Sequence, residues 1–178
     1  HNVENYMAAI CAVEGLVSDE VIREFARTAD RLKEQFQAQI VFVPLQFPAD
    51  GELSAQVAET MENRQDVFIL DQKFSTQEYQ DLISSFHLLI GMRLHALVFA
   101  AINDVPFMAI SYDPKVDRFV DGMKGTVVNT IGRITAEELT AMAEKLWNSD
   151  GKQGREQIRA LREEARANIG RALALAAR

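Results

Sequence analysis

The segment Gly91-Met92-Arg93-Leu94-His95 sets a guanidinium and an imidazole two residues apart, directly after the apolar run Leu88-Leu89-Ile90. Lys115 follows His95 by twenty residues, just past Ser111-Tyr112-Asp113-Pro114. A guanidinium can fork onto a carboxylate or phosphate, and an imidazole can hold or move a proton near neutral pH. Glycine at a strand-to-helix step lets the backbone approach a ligand. The free N–H groups and dipole of the following helix favour an anion there. Arg and His in the first turn of an otherwise apolar helix therefore point to an anion site with a titratable group beside it.

Each residue also has a plainer reading. Arg93 could cap acidic groups across a domain boundary, and His95 could be a half-buried structural histidine. Lys115, after a turn-forming Asp-Pro, could be an ordinary solvated lysine. Gln46 and Asp50 read as loop-formers, Asp71 as a turn or cap residue, and His87, inside a strand run, as structural. Asp19, Glu20, Glu137 and Glu138 are helix-start carboxylates.

The elements that must position these residues alternate short apolar runs with longer amphipathic ones, the pattern of βα units around a parallel sheet. Strands are expected at residues 6–13, 39–43, 66–70, 86–90, 105–110 and 126–128. Helices are expected from Ser18 onward, with Val21, Phe25, Ala29, Leu32 and Phe36 at helical spacing, and at 54–61, 76–84, 93–102, 116–122, from Thr135 to about 147, and 156–177. In such a sheet, ligands sit beyond the carboxyl ends of the strands. The loop after strand two (Pro44, Gln46, Asp50), the loop after strand three (Asp71, Lys73), the Gly91 step and the Tyr112–Lys115 loop then open on one edge. One Rossmann-like domain over 1–150 is expected, with an amphipathic basic helix over 151–178 packed on it.

Composition supports a packed core: 48% of the 178 residues are apolar, and no disorder signature appears. No apolar run is long enough for a membrane span and no signal peptide is visible. A single cysteine, Cys11, cannot form an internal disulfide or a cysteine-rich metal site, so a cytoplasmic protein is expected. The net charge of −7 argues against a general nucleic-acid binder. Residues 152–178 carry seven Lys/Arg against three Glu, net +4, leaving −11 on the rest. A basic terminal helix on an acidic body is expected to pack against it; peripheral attraction to the inner membrane face is the alternative. Of three histidines, none falls in a metal-ligand pattern, and no phosphate-binding P-loop, complete Gly-x-Gly-x-x-Gly or Gly-x-Ser-x-Gly elbow is present. The chain opens on His1 rather than Met, as expected of a piece of a longer protein.

The stretch IGMRLHALVFAAINDVPFMAISYDPKV, from Ile90 to Val116, closely resembles the hallmark of the polysaccharide pyruvyl transferase family, with the branch acting on bacterial secondary cell-wall polymers nearest. IVFVPLQFPAD, from Ile40 to Asp50, is similar to a second family segment. The resemblance implies a two-domain architecture of the GT-B kind, of which this chain supplies the C-terminal, donor-binding half. It lacks the Gly-rich N-terminal motif of the other half, so the fragment alone is expected to be inactive. Family members often carry Arg just after the first strand of this half, where this chain has Glu14. The resemblance further implies phosphoenolpyruvate as donor and a saccharide acceptor, lipid-linked in some relatives, with no cofactor or metal. Gly91, Arg93 and Lys115 would bind the donor, His95 would act as general acid or base, and Gln46, Asp50 and Tyr112 would support them. The alternatives are a GT-B sugar-nucleotide glycosyltransferase or epimerase domain, and a non-catalytic partner-binding domain. The acceptor sugar and oligomeric state are not legible.

Overall fold

The computed structural model describes residues 7–11, 17–123, 128–130, 134–149 and 154–176. Six parallel strands lie in the order β3-β2-β1-β4-β5-β6. They are β1 (Met7–Cys11), β2 (Gln39–Phe42), β3 (Val67–Ile69), β4 (Leu88–Gly91), β5 (Phe107–Ser111) and β6 (Val128–Thr130). The helices are α1 (Asp19–Phe36), α2 (Ala49–Thr60), α3 (Thr76–Ser84), α4 (Leu94–Ile102), α5 (Pro114–Gly122), α6 (Ala136–Trp147) and α7 (Arg155–Ala176).

Strands of an all-parallel sheet are covered on both faces, so they read as unbroken apolar runs rather than alternating ones. All of β4 and β5 is buried. Successive side chains go to opposite cores. Ile40, Phe42, Leu88, Ile90, Met108 and Ile110 join the layer formed by α1, α2 and α6. Val41, Val43, Leu89, Phe107 and Ala109 join the layer of α3, α4 and α5. The helices begin where their chemistry dictates: Ser18 caps α1, Thr135 caps α6, and Ser75 with Glu78 forms a reciprocal capping box on α3.

Three boundaries differ from the sequence expectation in ways that matter. Helix α2 starts at Ala49, five residues before the expected 54, with Pro48 at its N-cap and with Asp50, which had read as a loop-former, and Glu52 making an acidic first turn that suits the helix dipole. Strand β3 is shorter than expected; residues 126–127 of the last expected strand, like 124–125, 12–13 and Glu14, lie outside the described residues. Helix α7 departs most. It was expected to lie along the domain, but beyond Ile158, which is buried in the α4 layer, residues 159–175 are exposed. Among the described residues its first turns are tied down by Arg155 to Asp104 at 2.7 Å and by Arg162 to the Ile102 carbonyl at 3.0 Å. Leu161, Ile169, Leu173 and Leu175 on its later turns are exposed.

No helix among the described residues is long and apolar enough to cross a membrane.

Candidate functional site

With every strand parallel, the loops after β2, β4 and β5 meet at the carboxyl edge, beside the β1/β4 boundary where the strand order reverses. Doubly wound sheets leave a crevice at that point. A cleft of about 410 Å³ occupies it, lined by Leu45, Gln46, Arg93, Leu94, His95, Tyr112 and Lys115. Five of the seven site residues expected from sequence therefore share one cavity. Gly91 and Asp50 lie behind its wall, and Asp71 and Lys73 do not line it. Leu45 and Leu94, its apolar lining, carried no sequence signal of their own. Another hollow of about 380 Å³ lies between α1 and α2, lined by Asp19, Arg23 and Glu59 among others.

The first wall is built around Asp50, 1% exposed in the first turn of α2. Its Oδ2 accepts the backbone N–H groups of Leu45 at 3.2 Å and Gln46 at 3.0 Å, and Nε of Arg93 at 3.0 Å. Its Oδ1 accepts Nη2 of Arg93 at 2.6 Å. One carboxylate thus shapes the β2 loop and aims the arginine. A second strut, Tyr79 hydroxyl to the Pro44 carbonyl at 2.8 Å, holds the same loop from α3. The fork expected for Arg93 exists, but its partner is a carboxylate of the same domain, neither a ligand nor a group across a domain boundary. Asp50 does order the loop, as expected, yet from a buried helical position. The Asp50 hydrogen bonds, chiefly, raise the Arg93 pKa above its ordinary value against the opposing effect of burial, and the Asp50 charge and Tyr112 add to the rise. The Arg93 side chain is 20% exposed and lines the cleft beside Tyr112.

Arg93 is the N-cap of α4 and makes no side-chain cap bond, and among the described residues the first-turn N–H groups of that helix have no side-chain acceptor. Gly91 serves packing rather than ligand approach. A Cβ there would meet Leu89 Cδ2 at 2.9 Å and Leu97 Cδ2 at 3.3 Å, both side chains fully buried. His95, on the next half-turn, is exposed and among the described residues makes no hydrogen bond or ion pair. It is not the satisfied structural histidine that was the plainer reading. His87, by contrast, sits away from the cleft, stacked on Trp147 with ring centroids 5.7 Å apart.

The second wall is the start of α5. Asp113 caps it by accepting the Lys115 N–H at 2.8 Å, with Pro114 at the first helical position, so Lys115 belongs to a first turn rather than a loop. Lys115 Nζ also lies 3.2 Å from Asp113 Oδ2. The hydrogen bond from the Lys115 backbone, foremost, and the Lys115 ammonium hold the Asp113 pKa below its ordinary value. Sequence reasoning missed Asp113 as a partner of the cation, although Asp-Pro-Lys spells a cap followed by the first two helical positions. Among the described residues no group of three or more His, Cys, Asp or Glu is placed to hold a metal ion.

Comparison with known proteins bears on both fold and site. The family model for polysaccharide pyruvyl transferase matches residues 5–114, more than half of the chain and every cleft residue except Lys115. No curated protein matches by sequence. Among solved structures, the spinosyn forosaminyltransferase SpnP is similar with a TM-score of 0.59 and 14% identity, over 89% of this chain and 40% of that one. The UDP-GlcNAc 2-epimerase of Methanocaldococcus jannaschii, solved with UDP-GlcNAc and UDP, gives 0.58 and 16%, over 89% and 45%. The C-terminal domain of a group 1 glycosyl transferase (LpcC) from Francisella tularensis gives 0.60 and 13%, over 87% of this chain and 85% of that one. The fold is therefore that of a GT-B C-terminal domain, and the chain spans less than half the length of the first two proteins.

Proposed function

Because this chain belongs to the polysaccharide pyruvyl transferase family, we propose that it is the donor-binding half of an enzyme moving pyruvyl from phosphoenolpyruvate onto a sugar of a cell-wall or capsular polysaccharide precursor. The observation that carries this reading is the convergence of Arg93, His95, Lys115 and the first turn of α4, which its N-cap residue leaves without a side-chain cap bond, on one cleft. Phosphoenolpyruvate brings a carboxylate and a phosphate, and such a ligand needs several donors and cations at once. Arg93 and Lys115 bind these groups with the help of the helix N-terminus. Leu45 and Leu94 cover the methylene end.

His95 stands where a proton must move. A sugar hydroxyl attacks the enol carbon bearing the phosphate; its O–H bond breaks as its oxygen bonds there, and the methylene carbon takes up a proton to become a methyl group. A second hydroxyl of the same sugar then bonds to that carbon as its bond to the phosphate oxygen breaks. Phosphate leaves with the electron pair, the second hydroxyl proton is released, and a cyclic pyruvate ketal remains. No redox step enters this balance. His95 supplies one of these proton transfers, a role worth about 10²–10⁴-fold in rate. The acceptor is held by a second domain that this chain does not contain, in line with the greater length of the GT-B proteins it resembles.

Two measurements test the reading. Stabilisation of this chain in a thermal shift by phosphoenolpyruvate and not by UDP supports it; stabilisation by UDP alone moves the cleft to the sugar-nucleotide class. In the two-domain enzyme, His95→Ala should lose about 10²–10⁴-fold in phosphate release with donor affinity kept. Near-normal turnover would take His95 out of the chemistry.

A further inference from the structure

Both cleft cations already carry a carboxylate, and the two carboxylates differ in how firmly they are held. Asp50 is sealed under the first wall by four N–H donors. Asp113 is 32% exposed, its partner Lys115 is 51% exposed, and a single 3.2 Å contact joins their charges. Exposed pairs of this kind are weak and give way to competing ions, whereas a buried bidentate pair does not exchange its partner. An anion entering the cleft therefore leaves Arg93 on Asp50 and competes with Asp113 for the Lys115 ammonium.

Resting on the cleft as the donor site, we propose that Asp113 is a resident counter-ion which the incoming anion must displace from Lys115, so that Asp113 sets the affinity of the cleft for anions. The carboxylate is tethered two residues from the lysine and holds a high local concentration against any free competitor. A monocarboxylate carries no more charge than the group it displaces and gains little by the exchange. A phosphate or a phosphate with a carboxylate carries more and wins. The latch thus favours phosphoenolpyruvate over pyruvate, the same skeleton without its phosphate.

Calorimetric titration of the 178-residue chain with phosphoenolpyruvate tests this. Asp113→Asn keeps an N-cap of equal quality and removes only the competing charge. It should tighten binding about two- to fivefold, and the gain should vanish when Lys115→Ala is added. Unchanged or weaker binding in Asp113→Asn, or an equal gain without the lysine, overturns the latch while leaving the donor reading intact. If the parent chain binds inorganic phosphate and not phosphoenolpyruvate, the donor reading falls. The same pair of variants titrated with phosphate then decides the latch alone. Binding of neither anion to parent or variant overturns both.

Discussion

On the β4 side of the cleft a guanidinium is held by a carboxylate with 1% exposure, while on the β5 side an ammonium is held by a carboxylate about a third exposed. Chemically the two pairs look alike, one cation and one aspartate each. Their surroundings make them different devices. Arg93–Asp50 fixes the relation of two elements, since Asp50 comes from α2 and also binds the β2 loop. Lys115–Asp113 closes within one helical turn, where the carboxylate is already engaged as a cap, and among the described residues the pair joins no second element. The first pair is architecture that a ligand uses; the second is a contact that a ligand can replace.

The largest expected contrast is in folding. Asp50→Ala strands two backbone N–H groups and a partly buried guanidinium, a loss of about 3–5 kcal/mol. Against a total of about 5–15 kcal/mol for a domain, that lowers the melting temperature by on the order of 10 °C. Lys115→Ala should leave the melting curve where it is. Calorimetry on the two variants checks this, and equal effects would erase the distinction between the walls.

A finer cut replaces each cation by the other. Arg93→Lys keeps the charge but loses the two-pronged geometry to Oδ1 and Oδ2 of Asp50, costing about 1–3 kcal/mol. Lys115→Arg meets an exposed partner with room to adjust and should be neutral in urea unfolding. A neutral Arg93→Lys would mean that the fork is not what holds the wall. On the same wall, Gly91→Ala sharpens the point: its Cβ would crowd Leu89 and Leu97, costing about 1–3 kcal/mol by overpacking. Anion affinity should persist, because the glycine packs the helix and does not touch the cleft.

Much of this frame was legible in the sequence because periodicity and caps are local. Leu88–Ile90 and Phe107–Ile110 could only be buried strands, and Ser75 with Glu78 announced α3. Parallel connection then carried Arg93, His95 and Lys115 to one edge without knowledge of any long-range contact. What stayed hidden was pairing. Asp50 lies 43 residues from Arg93 in sequence, and Asp-Gly in a Pro-rich stretch reads as a turn, so neither its helix nor its partner was visible. Gly91 was read as a point of ligand approach; the crowding that a Cβ would meet there, from the side chains of Leu89 and Leu97, was not visible. The exposure of α7 was equally illegible: its apolar spacing is that of a packed helix, yet residues 159–175 are exposed.

The smallest effect concerns acid. Asp113 has a folded-state pKa below its ordinary 3.8, owing first to the Lys115 backbone hydrogen bond and then to the Lys115 side chain. A carboxyl group whose pKa is depressed on folding binds fewer protons in the folded than in the unfolded chain near that pH. Its stabilising contribution is therefore present above 3.8 and is lost as pH falls through the folded value. The sign is opposite for Arg93, whose raised pKa places any loss at alkaline pH beyond the working range. Acidification should thus loosen the α5 wall through Asp113, and Asp113→Asn should remove that part of the acid limb. The difference in melting temperature between parent and variant, followed from neutrality downward, should shrink toward zero below pH 3.8. No difference between the two even at neutrality would mean the cap, which asparagine preserves, is all that Asp113 contributes to the second wall.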